Sequence, residues 1–182
     1  MEESFIATIG ILIGAVLLFI APLTIIADRA DDISQLSVQT FTTEFVDKVI
    51  KTGTITSNDY QNYLSALNTT GNTYQVDIEL KILDENTAQR ETGYTKAIGQ
   101  NAYYSLYTSQ IEAKLEESEK QNAEIESGKI VLKEGDIISV MARNNSKTIS
   151  QSLKSVYFTI KGEDLHIIAG SGTGIVAVNG AT

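Results

Sequence analysis

The chain has 182 residues, carries 23 Asp and Glu against 14 Lys and Arg for a formal charge of −9, and contains no cysteine. The missing thiols exclude cysteine chemistry and thiolate metal sites. The acid excess, with Lys and Arg scattered rather than clustered, argues against a nucleic-acid partner, which a protein meets with a basic patch, and against a domain lying flat on anionic lipid.

Residues 1–4 form an acidic tail, Met1-Glu2-Glu3-Ser4. Phe5 to Ala27 follows as 23 residues without a charge. At about 1.5 Å per residue such a helix crosses a hydrocarbon core of about 30 Å, so 5–27 reads as a single transmembrane helix. The rival is a cleaved signal peptide, which would have a basic n-region and a shorter apolar stretch. Glu2 and Glu3 stand at the lipid edge, where a carboxylate either rests in water or is drawn inward by a partner; water is the preferred reading. Gly10 and Gly14 make a G-x-x-x-G whose small side chains let a second helix approach, although glycine is also common in membrane helices. Pro22, the one proline of the chain, removes a backbone donor and is expected to loosen or kink the helix. For orientation the charges offer only Arg29, which taken literally places the C-terminus in the cytoplasm.

Residues 28–52 contain no Gly before Gly53 and no Pro, and Val38, Phe41, Phe45 and Val49 recur with Val46 and Ile50 at helical spacing. This predicts an amphipathic continuation of the span, ending near Gly53. Asp28, Asp31 and Asp32 on it are expected to form a solvated collar rather than a cation site.

Residues 53–182 read as a head of about 130 residues with its own core. Thr56, Ser57 and Asn58 suit the start of a helix that buries Tyr60, Tyr63, Leu64 and Leu67. Residues 68–72 are turn-forming. Tyr74, Val76, Ile78, Leu80 and Ile82 alternate with polar residues, the mark of a strand with one wet face. Residues 84–99 read as a loop. Tyr104, Tyr107, Ile111 and Leu115 predict a helix over 101–120 with a solvated, charged tail containing Glu112, Glu116, Glu117 and Glu119. Strands are expected at Ile130–Leu132 and Ile137–Ala142, joined by a turn at 133–136. Asn144-Asn145-Ser146 is expected to cap a helix that lines up Ile149, Leu153, Val156 and Tyr157. At the end, Leu165–Ala169 and Ile175–Val178 read as a hairpin with Gly170-Ser171-Gly172-Thr173-Gly174 at its tip. The fold class is therefore α+β: a long N-terminal transmembrane helix continuing into a head with antiparallel sheet and short helices.

Catalytic signatures are sparse. His166 is the one histidine and reads as a structural strand residue, because a triad needs a nucleophile and an orienting acid beside it. The glycine run is followed by Ile-Val-Ala-Val rather than the Lys-Ser/Thr and helix of a phosphate loop. The chain is expected to be no enzyme and to need no cofactor or metal.

The acidic residues before a pure apolar helix, the proline along it, the amphipathic continuation and the antiparallel head together resemble the type IV pilin superfamily. Within it, TTEFVDKVIKTGTIT, ALNTTGNTYQVDIEL, IGQNAYYSLYTSQIE and LKEGDIISV look most like the small Tad- or conjugation-associated pilin-like membrane proteins of Gram-positive bacteria. The resemblance implies that Phe5–Ala27 is both membrane anchor and assembly stalk, that Glu2 or Glu3 registers one subunit against the next, and that Pro22 marks where the helix can loosen. It also places the head outside the cytoplasm. It departs from the superfamily at the N-terminus, where prepilins carry a basic leader. With that departure the resemblance points to a pilin-like membrane protein more than to a polymerising major pilin. The expected partners are the lipid bilayer and other pilin-like or apparatus subunits, met through the N-terminal helix. The alternative is a membrane-anchored extracytoplasmic module that binds a ligand or protein through its tyrosine-rich head, at Tyr103, Tyr104 or Tyr107.

Overall fold

The computed structural model describes residues 2–83, 103–120, 128–161 and 167–180, with the backbone alone described at 2–3, 117–120 and 156–161. The predicted loop at 84–99 and the predicted strand residues Leu165 and His166 lie outside these residues. Helix α1 (Glu2–Thr52) is followed by β1 (Thr54–Thr56), α2 (Ser57–Asn68), β2 (Tyr74–Leu83), β3 (Tyr103–Tyr107) and α3 (Thr108–Lys120). Then come β4 (Lys129–Val131), β5 (Ile137–Asn144), α4 (Ile149–Lys161) and β6 (Ala169–Ile175). The fold is α+β, as expected.

α1 is one helix of 51 residues, about 75 Å long. It ends at Gly53, whose φ of +64° no β-carbon residue adopts readily and whose N–H donates to the Val49 carbonyl at 2.8 Å. A side chain there would also strike Gly180. Its second half supplies the predicted stripe to the core: Val38, Phe45, Val46 and Val49 are buried, and Phe41 and Ile50 pack at the margin.

Four antiparallel strands in the order β3-β2-β5-β6 form the main sheet. A small second sheet pairs β1 with β4. Along β2 and β5 the alternation is strict. Val76, Ile78, Leu80, Ile138, Val140 and Ala142 are buried, while Asp77 and Arg143 on the other face make a 3.1 Å ion pair. α1 covers the inner face, with α2 and α3 closing the sides. Phe45 of α1 stacks on Tyr63 of α2 at 4.7 Å between ring centroids. α2 is capped by Thr56, which accepts from the Asp59 N–H, and Tyr60, Tyr63 and Leu67 are its buried face.

Three sequence expectations are corrected. Tyr103–Tyr107 is a strand, so the helix predicted over 101–120 begins only at Thr108. Pairing with β2, in register Leu80↔Leu106, satisfies its backbone, and aromatic residues suit a strand. Thr108 ends it by accepting from the Ile78 N–H at 2.7 Å. Ile111 and Leu115 are helical and buried as predicted.

Asn144 does not cap α4. It is the last residue of β5, and its side-chain oxygen takes the Ser146 N–H at 2.9 Å. The cap is Thr148, which accepts from the Gln151 N–H while Gln151 accepts from the Thr148 N–H, each at 3.1 Å. This reciprocal box turns Ser150 and Gln151 inward and leaves Ile149 exposed, so Ile149 is not on the buried line.

The glycine run is not a hairpin tip. Gly170, Gly172 and Gly174 lie inside β6 at every second residue, the period of the pleat, and all face α1. A β-carbon on Gly170 would come within 2.8 Å of the Val38 carbonyl oxygen, and one on Gly172 within 3.0 Å of Val46. The absent side chains let the helix axis lie close to the strand.

Candidate assembly site

The first half of α1 stands apart from the head. From Ser4 to Phe19 every residue is exposed, and an 18-residue window of this helix reaches a mean hydropathy of 2.8, the composition of a membrane span. Phe5, Ile11, Leu18 and Phe19 are each more than two-thirds exposed. Such an area of bare apolar surface is stable only where lipid or another helix covers it.

The sequence-selected residues fall along this rod. Gly10 and Gly14 have nothing within 4 Å of where a β-carbon would stand, so their side of the helix is open. Leu17 continues the same face by helical spacing and is also exposed. Glu2 and Glu3 lie within the first turn of the helix, where a negative charge suits the exposed N–H groups; their side chains are outside the described residues. The helix is continuous through Pro22. Proline leaves the Leu18 carbonyl without its N–H donor, yet no break in the helical backbone follows.

Where α1 leaves the apolar run, the predicted acidic collar is only partly solvated. Asp32 is exposed, but Asp31 accepts a hydrogen bond from the Thr148 hydroxyl at 2.7 Å, and Asp28 accepts from Ser150 and forms an ion pair with Lys154. The hydrogen bonds from Lys154 and then Ser150 hold the Asp28 carboxyl below the usual aspartate range. These contacts tether α4 to α1. The spacing of the acids gave no sign of them, because the partners come from more than a hundred residues away.

Two glutamines were also missed. Gln35 accepts from the Ala169 N–H at 2.9 Å and donates to its carbonyl at 2.5 Å. Gln39 does the same to Ser171 at 3.2 and 2.9 Å. Each side-chain amide thus replaces one residue of a neighbouring strand, and α1 closes the open edge of β6.

No group of three or more metal-ligating side chains occurs among the described residues. Tyr103, Tyr104 and Tyr107 are exposed. Tyr104 borders an open hollow of about 420 Å³ with Ile82, Leu106, Lys114 and Asp136. Asp136 is 1% exposed and already committed, one oxygen accepting from the Leu83 N–H and the other from the Lys133 N–H, both at 2.8 Å. Tyr60 donates to Glu112 at 2.7 Å, and burial, reinforced by that carboxylate, pushes its hydroxyl far above the usual tyrosine range.

No protein-family model matches the chain, and neither a curated protein nor a solved structure shows significant similarity to it.

Proposed function

We propose that this chain is a membrane-anchored, pilin-like structural or accessory subunit of a surface, secretion or conjugation apparatus. Its head stands outside the cytoplasm, and it acts by helix–helix assembly through Phe5–Ala27. One observation carries this reading. A single helix is bare and apolar over its first half and forms the core of an α+β head over its second. Lipid covers the bare half when the subunit is stored, and neighbouring subunits cover it when assembled. Gly10 and Gly14 give the face of closest approach, and Glu2 or Glu3 is the acidic group available to register neighbours.

The absence of cysteine allows a clean test. In membranes of the expressing cell, Leu17→Cys on the glycine face is expected to give disulfide-linked species under mild oxidation. Leu12→Cys, on the opposite face, is not. Adding Gly14→Leu to the Leu17→Cys chain should abolish the cross-link. Equal cross-linking at both positions, or none, would remove the assembly reading. Protease added to intact cells should cut the head; protection until lysis would refute the orientation.

The hollow beside Tyr104 favours a second reading, a membrane-anchored module that binds a ligand or protein. Tyr104→Ala would then abolish partner capture while leaving the Leu17 cross-link unchanged.

A further inference from the structure

The two edges of the main sheet are finished differently. The β6 edge is closed by the side-chain amides of Gln35 and Gln39. The β3 edge is open. Ile78 turns its N–H toward the β3 side, where the Thr108 hydroxyl accepts it. By the alternation of an antiparallel ladder, Leu80 and Ile82 then bond toward β3, and their partners Leu106 and Tyr104 bond back. Ser105, between those two, turns its N–H and carbonyl away from the sheet. Neither group has a partner among the described residues. Tyr107 faces the same way, and its N–H is taken by the Gln110 side chain at 3.1 Å. Strands meant to stay at an edge are commonly guarded by lysine or proline, and Tyr103–Tyr107 contains neither.

The hollow beside Tyr104 adjoins this edge, between β3 and β4. Ile82, Leu106 and Ile130 give it apolar walls, and Lys114, Lys129 and Lys133 line it too, in a chain whose net charge is −9. Asp136, the one carboxyl among its described lining residues, has both oxygens bound by backbone N–H groups. Such a hollow suits an apolar side chain with a negative charge next to it.

We propose that the β3 edge takes up an extended peptide segment of a partner protein as a fifth strand of the main sheet. Ser105 exchanges backbone hydrogen bonds with it. On the inward side of the segment, an apolar side chain enters the hollow and a carboxylate two residues along meets Lys114. The alternate side chains lie beside Tyr103 and Tyr107. Neither edge of the main sheet in a second copy of the chain fits this one. Its β6 is closed. Antiparallel pairing of two β3 strands needs a two-fold axis perpendicular to the sheet. β6 runs along α1, with Gly170 against Val38 and Gly174 against Ile50, so that axis would reverse α1 and point the two anchors in opposite directions. The inference rests on the reading of the head as a binding module and names the class of its ligand.

The full chain in phosphatidylcholine nanodiscs, panned with a random dodecapeptide library against empty nanodiscs, tests it. Binding of the enriched peptides is then measured by fluorescence anisotropy. The expected peptides carry an apolar and an acidic residue two positions apart. Ser105→Pro removes the outward N–H and spares the pairing with β2, as proline on a sheet edge does. It should weaken binding about tenfold at an unchanged urea midpoint. N-methylation of the peptide backbone, which leaves the protein untouched, should do the same. Lys114→Glu should weaken the acidic peptides and not their glutamine counterparts; equal weakening of both would remove the carboxylate from the proposal. Binding lost with Tyr104→Ala, but not with Ser105→Pro or N-methylation, would overturn the added strand and leave the head a binding module. Binding that none of these changes affects lies elsewhere on the chain and overturns both. Failure to enrich any peptide overturns the added strand, as does a dimer of the detergent-solubilised chain that Ser105→Pro dissociates.

Discussion

Gly170 lies directly against the backbone of Val38, so close that a methyl group on it would meet the Val38 carbonyl oxygen at 2.8 Å. A rigid carbonyl cannot rotate away. Gly170→Ala is therefore expected to destabilise the head by about 1–3 kcal/mol, the usual range for overpacking. At Gly174 the obstacle is the Cδ1 end of Ile50, which can change rotamer, so Gly174→Ala should cost less. Urea midpoints for the two variants check the order.

The hydroxyls of Thr42 and Tyr63 meet at 2.9 Å, and Thr42 also donates to the Val38 carbonyl at 2.7 Å. With the threonine proton committed, the tyrosine must be the donor. Thr42→Val then strands the Tyr63 hydroxyl in the core, at a cost of about 1–3 kcal/mol. Tyr63→Phe should cost about 1 kcal/mol. Combining them should restore part of the loss, because the second change removes the group that the first left unpaired. Equilibrium unfolding of the four chains gives the coupling directly.

Gln35 and Gln39 each make two hydrogen bonds to the β6 backbone. Replacing both with Ala should cost about 2 kcal/mol and reopen a strand edge. Faster amide exchange at Ala169 and Ser171, with β2 amides unchanged, is the expected signature, and a concentration-dependent association would follow from the bare edge.

Asp28 is depressed by its hydrogen bonds from Lys154 and Ser150. A depressed carboxyl stabilises the fold above its ordinary pKa, and that contribution fades as pH falls through the folded-state value. The tether of α4 should thus be intact at neutral pH and weaken below about pH 4. The pair is partly exposed, so the effect is expected to stay within about 1 kcal/mol. Amide exchange in α4 checks it. Asp28→Asn should show the faster exchange at neutral pH already and lose this part of the pH dependence.

Much of the architecture was legible because periodicity reports burial. The stripe from Val38 to Ile50, the alternation from Tyr74 to Ile82 and the cap at Thr56 are local patterns, and each lies where the sequence puts it. What sequence could not supply were contacts that depend on a distant partner. Tyr104 and Tyr107 fit a helical spacing, but an unfilled β2 edge claimed them for a strand. The glycines of β6 read as a turn, because nothing local reveals that a helix must pass within a methyl group of them. Asp28 and Asp31 read as solvated acids until α4 was placed beside them. Of the proposed assembly face, Gly10 and Gly14 could be named from spacing alone; the open surface around them belongs to the fold.

From Leu23 to Thr52 the chain has neither glycine nor proline, and β6 and α4 brace the helix along its outer part. No glycine or proline hinge separates Ala27 from the head. The helix is a stiff lever from Leu23 onward, and on the reading of Phe5–Ala27 as a span any reorientation in the bilayer must appear, amplified, at the far end. A tilt of about 20°, ordinary for a single span, would swing the Thr52 end sideways by roughly 13 Å over the rise of about 37 Å beyond Ala27. A force on the Thr52 end would be delivered to Leu23 without loss in a joint.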